Sequence, residues 1–224
     1  MARLGDARDG DLASRDVKRR LGRPVHGDAE ETRDRIVRAA RLAFTTRGYD
    51  NTTNREIAAG AGITAAAIYH YFPSKVDLYV AVFQDVQGKV FDSFEAAVSV
   101  GESFLERFDA IFDAMFELSI DDPMLASFVV GVITEAGHHP DLRAALDGLQ
   151  PRQQQFLTRL CLEAQRRGEL PESLHVGTAV DAMSGVIGGF ARLAVTIRDH
   201  DRLRAVVGVY KSMARSVLSR AAAI

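Results

Sequence analysis

From residue 28 onward, apolar residues recur three and four positions apart, with almost no alternating strand pattern. That period is helical, and the chain is predicted to be all-α. Asp28 and Glu31 are spaced as a capping box, and Ile36, Ala40, Ala43 and Phe44 stripe a first helix that Gly48 ends. Thr53 with Glu56 opens a short second helix around Ile57 and Ala58, broken at Gly62. Thr64 caps a third that runs to about Tyr71, where Pro73 stops it. Ser74 with Asp77 opens a long fourth, striped by Leu78, Val82, Val86, Val90 and Phe94. Phe104, Phe108, Ile111, Phe112, Met115 and Phe116 stripe a fifth. A sixth starts at Pro123, presents Phe128, Val132 and Ile133, and ends at Gly137–Pro140. A seventh is expected from Asp141 to Arg167. Pro151 should kink or split it, because proline removes a backbone donor and clashes with the preceding turn. Val176–Arg198 and Arg202–Ala222 close the series.

The segment Thr53–Tyr71, TNREIAAGAGITAAAIYHY, satisfies several constraints together. A helix-turn-helix needs a small residue where its helices cross, and Ala58 supplies it. It needs a residue tolerant of positive φ at the turn, and Gly62 follows four residues on. Ile57, Ala61, Ile63, Ile68 and Tyr71 fall where apolar groups would lock the two helices. A plain helical hairpin is the alternative.

The run from Gly48 to Leu78, above all Thr53, Ala61-Gly62-Ile63, Ile68-Tyr69-His70-Tyr71-Phe72 and Ser74-Lys75, resembles the tetracycline-repressor (TetR) family. The resemblance implies a dimeric, ligand-responsive repressor with a nine-helix protomer. Thr53 and the first amides of its helix would meet a phosphate, as helix N-termini do. Thr64, Ala65 and Ala66 would meet base edges in the major groove, with Tyr69 and His70 one turn on. Lys75 resembles the family's phosphate-contacting lysine, and exposed Arg55 is a further candidate. Relatives often carry Lys or Pro and then Gly where this chain has Ala65-Ala66-Ala67. Alanine reads bases only by apolar contact, for example with a thymine methyl. His70 is alternatively a neutral packing residue, and Tyr71 and Phe72 read as core.

The chain of 224 residues has a net charge of −2, so its overall balance says nothing about nucleic acid. Its distribution says more: residues 1–80 hold 14 basic against 11 acidic side chains, and the remainder 14 against 19. A basic front and an acidic rear suit a polyanion at the front only. Residues 1–27 read as a tail whose Arg15, Lys18, Arg19, Arg20 and Arg23 could form a minor-groove arm. Residues 28–73 form the DNA-binding head, and 74–224 the effector-binding and dimerisation body. The single Cys161 excludes an intramolecular disulfide and suits a reducing cytoplasm. It lies on the stripe of Phe156, Leu157, Leu160 and Ala164, as a buried structural thiol would. No secretory leader is evident, and the longest apolar run, Val176 to Ile197, is interrupted by Asp181, Arg192 and glycines. No membrane partner is therefore expected.

Phe94, Phe104, Phe108, Phe112, Met115, Phe116, Phe128, Phe156 and Met183 are core residues or, as the resemblance implies, the walls of an effector pocket. Such a pocket is apolar with few polar anchors, which suits a hydrophobic, uncharged or weakly anionic ligand. The eighth predicted helix is apolar on two sides, so it should be buried on two sides. Val180, Ser184, Gly188, Ala191 and Val195, with Val206, Tyr210, Met213 and Val217 of the ninth, form the expected homodimer seam. Glu135, His138 and His139 invite a metal reading, but adjacent histidines in a Gly/Pro turn cannot easily share one ion. No cofactor is expected, and no catalytic signature stands out. The leading expectation is an operator-binding repressor released by a small hydrophobic effector. A filled body would instead mean an effector-independent regulator. An interaction module or enzyme retaining the hairpin would show no salt-sensitive DNA affinity.

Overall fold

The computed structural model describes residues 25–149 and 152–221, with side chains over 29–149 and 152–216. The expected basic arm therefore lies outside the described residues, as does the Val217 side chain. Ten helices and no strand occur among the described residues. They are α1 (Val25–Arg47), α2 (Asn54–Ala61), α3 (Ala65–Tyr71), α4 (Lys75–Val98) and α5 (Phe104–Asp121). The rest are α6 (Pro123–His138), α7 (Pro140–Asp147), α8 (Arg152–Arg166), α9 (Val176–Thr196) and α10 (His200–Ala221).

Helix ends follow local chemistry. Ser74 caps α4 by accepting the Asp77 N–H at 3.0 Å. Ser103 and Glu106 form a full capping box on α5, a signal overlooked in the sequence. The expected start at Asp28 is corrected: among the described residues α1 already runs from Val25, so Asp28 lies inside the helix. The expected seventh helix is split into α7 and α8 between Asp147 and Arg152, around Pro151, and this gives ten helices rather than the nine of the resemblance.

Two apolar cores share α4. The first joins α1, α2, α3 and the first half of α4 to Leu125 and Phe128 of α6 and Leu142 of α7. The second gathers Phe91 and Phe94 of α4 with α5, α8, α9 and α10. The head's core therefore continues past residue 73 into the body. Tyr79 is its hinge pin, with ring centroids 4.9 Å from Phe44, 5.5 Å from Tyr49 and 5.1 Å from Phe128. Arg41 of α1 reinforces the joint with a 2.7 Å ion pair to Asp122.

Both α9 and α10 pack on α5, yet they scarcely touch one another. That separation opens the space described below. Helix α9 buries only Val180, Met183 and Phe190 within the protomer. By length and composition it is also apolar enough to cross a bilayer, with mean hydropathy 1.2, so the expected interruption of this run is weaker than it looked. Just 22% of that stretch is buried, which leaves an apolar outer face uncovered.

Candidate DNA-binding head and apolar cavity

Thr53 adopts an extended backbone before α2, and its Oγ1 accepts the Glu56 N–H at 3.3 Å. Glu56 Oε2 in turn accepts the Thr53 N–H and hydroxyl, each at 3.1 Å. These bonds, led by the Thr53 N–H, hold the Glu56 carboxyl below its ordinary range, and Arg47 pairs with it as well. The Thr53 hydroxyl is thus occupied inside the cap. What α2 offers a phosphate is the amides of Asn54 and Arg55, which start the helix and have no intrahelical partner.

Gly62 ends α2 at φ 68° and ψ 36°. A Cβ there would meet nothing within 4 Å, so the demand for glycine is conformational. Ile57, Ala58, Ala61 and Ile68 are buried between the helices. Thr64 then caps α3 by accepting the Ala67 N–H at 3.3 Å. Thr64, Ala66, Tyr69 and His70 are exposed on α3, and Tyr69 is 57% exposed. Ala65 is half-buried against the core, so Ala66 is the more outward of the two expected base contacts. His70 stands edge-on to Tyr71 at 5.6 Å and is exposed, which does not suit a packing role. Phe72 is buried and Tyr71 half-buried, as read from the sequence. Arg55 is exposed.

Lys75, at the start of α4, lies over the turn that joins α1 to α2. Its Nζ donates to the Asp50 carbonyl at 3.3 Å and stands 4.4 Å from the Tyr49 ring centre. Burial lowers its pKa, while Asp50 and Glu135 pull it back up. Tyr49 is pushed up to about 12, first by burial and then by Asp141, Asp50 and Glu135.

An apolar cavity of about 400 Å³ lies among α5, α9, α10 and the segment between α8 and α9. Of the expected pocket residues, Phe104, Phe108, Phe112 and Met183 line it. Leu170, Leu174, Ala179, Ala182, Val186, Tyr210, Met213 and Ala214 complete the wall and were not anticipated as such. Phe94 and Met115 instead line a small void of about 70 Å³ between α6 and α9. Phe116, Phe128 and Phe156 line neither space. Phe128 packs on Tyr79 below the head, Phe156 on Phe91 and Phe94, and Phe116 lies under Arg204. Cys161 is buried, 3.7 Å from the Met183 sulfur, and burial pushes its thiol pKa up, away from the reactive thiolate.

The expected dimer seam divides. Gly188, Val195 and Met213 are exposed, and Ser184, Ala191 and Val206 partly so. Val180 is buried in its own protomer, and Tyr210 stacks on Phe112 at 5.4 Å, so both face inward. The outer row of α10 is instead Ala205, Gly208, Val209, Ser212, Met213 and Ser216.

A helix-turn-helix head with an exposed second helix, set on a helical body with an apolar cavity, defines a DNA-binding regulator by architecture. Residues 36–82 match the family model of bacterial regulatory proteins of the tetR family, and residues 102–208 match the tetracyclin repressor-like C-terminal domain. The chain belongs to the TetR family of transcriptional regulators. It is 27% identical over 195 residues to the HTH-type transcriptional regulator SrpR of Pseudomonas putida, covering 84% of this chain and 86% of that protein. It is 28% identical over 176 residues to the HTH-type transcriptional repressor BepR of Brucella suis, covering 75% and 82%. The fold matches the transcriptional regulator FadR of Bacillus subtilis in complex with stearoyl-CoA, at TM-score 0.68 and 22% identity, over 80% of this chain and 96% of that one.

Proposed function

We propose that the protein is a cytoplasmic, non-enzymatic repressor that binds a pseudo-palindromic operator as a homodimer and is released by a small apolar effector. The observation that carries the reading is the exposed face of α3. Thr64, Ala66, Tyr69 and His70 stand outward there while Ile68 anchors the helix from behind. Two such helices related by a dimer axis would read two half-sites, with Lys75 and the α2 amides on phosphates. The division of the chain is a head through residue 73 and an effector and dimerisation body beyond it, with the stretch before Val25 as a basic arm.

The cavity favours an effector-gated regulator over an effector-independent one. Its volume lies within the usual range for small-molecule sites. Tyr210 contributes the one hydroxyl among its lining side chains, and no lining residue is charged. That wall selects an uncharged, largely apolar occupant, because a buried unpaired polar group costs free energy. The FadR neighbour was solved in complex with stearoyl-CoA; the acyl chain of that ligand is apolar, although its CoA part is charged, and this supports an apolar group in a body of this kind.

The test is footprinting of the DNA that flanks the protein's own gene. Two protected half-sites about 34 Å apart are expected. Apolar compounds that raise the protein's Tm should abolish the protection. An asymmetric single site would overturn the dimeric reading. Compounds that stabilise the protein yet leave the footprint intact would overturn effector release.

A further inference from the structure

The turn between α1 and α2 is held from the far side of the sequence. Glu135, in the last turn of α6, accepts the Tyr49 N–H through Oε1 at 3.0 Å. The same oxygen approaches Gly48 so closely that a Cβ there would stand 3.1 Å from it. Gly48 also has φ 78°, so a side chain there would be strained and would push on the Glu135 carboxylate. His139, which follows α6, places its ring centre 4.8 Å from that of Tyr49. Its Nε2 lies 3.3 Å from Asp50 Oδ1 and 3.7 Å from Glu135 Oε2. Yet this nitrogen is buried and completes no hydrogen bond. The same Tyr49 ring and the Asp50 carbonyl carry the Lys75 ammonium.

We infer that Glu135 and His139 are positioning residues for operator binding: they fix the turn on which Lys75 rests, and protonation of His139 tightens the grip on DNA. The inference rests on the proposed contact between Lys75 and a DNA phosphate.

The sign follows from the local charges. With a neutral imidazole, the carboxylates of Asp50 and Glu135 face one ammonium, that of Lys75, and Asp141 adds a third negative charge near Tyr49. Asp50 is 74% exposed beside that ammonium, so it repels the phosphate that Lys75 attracts. An imidazolium between Asp50 and Glu135 offsets this repulsion and turns an unsatisfied nitrogen into a charged donor for the nearest carboxylate. The other groups around the ring leave this balance intact. Tyr49, raised to about 12, stays neutral, as does Tyr79, which burial raises further. Arg143 of α7 donates its backbone N–H to the His139 carbonyl at 2.9 Å and directs its guanidinium to Asp147. The neighbouring His138 is exposed. The contribution therefore belongs to the imidazolium and is absent with the neutral ring.

The test measures fluorescence anisotropy of the full chain on a footprinted duplex at fixed ionic strength. The pH runs from roughly 5 to 8, where histidines change charge. The wild type should lose affinity as pH rises. His139→Gln should flatten the profile, removing roughly two- to fivefold per protomer, the effect of a surface ion pair. Every other histidine is common to both proteins, so the difference between the profiles isolates His139. Asp50→Asn, an exposed change that leaves the fold alone, should raise affinity at high pH and flatten the profile too. In a Lys75→Ala background, His139→Gln should have no further effect. Parallel profiles for wild type and both variants overturn the inference while leaving the Lys75 contact standing. An undiminished His139→Gln effect without Lys75 overturns the route through Lys75. Unchanged affinity in Lys75→Ala alone overturns the phosphate contact, and the inference falls with it.

Discussion

Val209→Glu should dissolve the proposed homodimer without unfolding the protomer. Val209 lies on the outer row of α10 and is 58% exposed, beside Met213 at 60%. Fully burying a valine is worth about 1.5–3 kcal/mol, so the exposed part gives the partner about 1–2 kcal/mol to gain by covering it. Two-fold symmetry counts the loss twice, at about 2–4 kcal/mol for the pair. The glutamate adds the cost of removing two unpaired carboxylates from water, several kcal/mol more. At about 1.4 kcal/mol per factor of ten, the dimer should weaken more than about a thousandfold. Because the valine is already exposed in the protomer, circular dichroism and compactness should be preserved. Sedimentation velocity across nanomolar to micromolar protein, with operator binding measured in parallel, decides the matter. A Val209→Glu protein that stays dimeric at every concentration with undiminished operator affinity would place the interface elsewhere and refute the reasoning.

Other changes probe the head and the cavity. Lys75→Ala should weaken binding to all duplexes alike, whereas Tyr69→Ala should also change the ranking of single-base operator variants in competition assays. Ala182→Phe should fill part of the 400 Å³ cavity, leave operator affinity unchanged and abolish release by apolar compounds. The Glu56 carboxyl is held below its ordinary value in the folded protein, so its contribution to stability is present at neutral pH and lost as pH falls through the folded value. Glu56→Gln should therefore lower Tm at neutral pH, and the difference from wild type should shrink as pH falls below the ordinary glutamate range of about 4.3.

The sequence announced what local rules govern. Thr53, Thr64, Ser74, Gly48 and Gly62 each mark a helix end because a cap or a positive φ is a property of one residue and its near neighbours. The anchoring of α3 by Ile68 follows from helical period in the same way. The cavity was only half legible. Periodicity tells which face of a helix turns inward, but not whether the inward faces meet. Phe104, Phe108 and Phe112 line space because α10 packs on α5 and stands off from α9. Phe128 and Phe156, on equally apolar stripes, meet other rings instead. Leu170 and Leu174 lie between helices, where no period marks a residue as buried or lining. The joint between head and body was illegible for a different reason. Glu135 is 86 positions from Tyr49, and His139 sits in a turn whose histidines invited only a metal reading. What brings them together is the packing of α6 against α1, which no short-range pattern encodes.

The most direct test of the central claim is the salt dependence of affinity for DNA from beside the protein's own gene, set against a scrambled duplex of equal length. The log of the binding constant should fall linearly with the log of salt concentration, with a slope of about −0.9 per phosphate neutralised. The native duplex should stay the tighter at every salt concentration. A flat response, or equal affinity for the two duplexes throughout, would contradict the assignment of α3 as the helix that reads the operator.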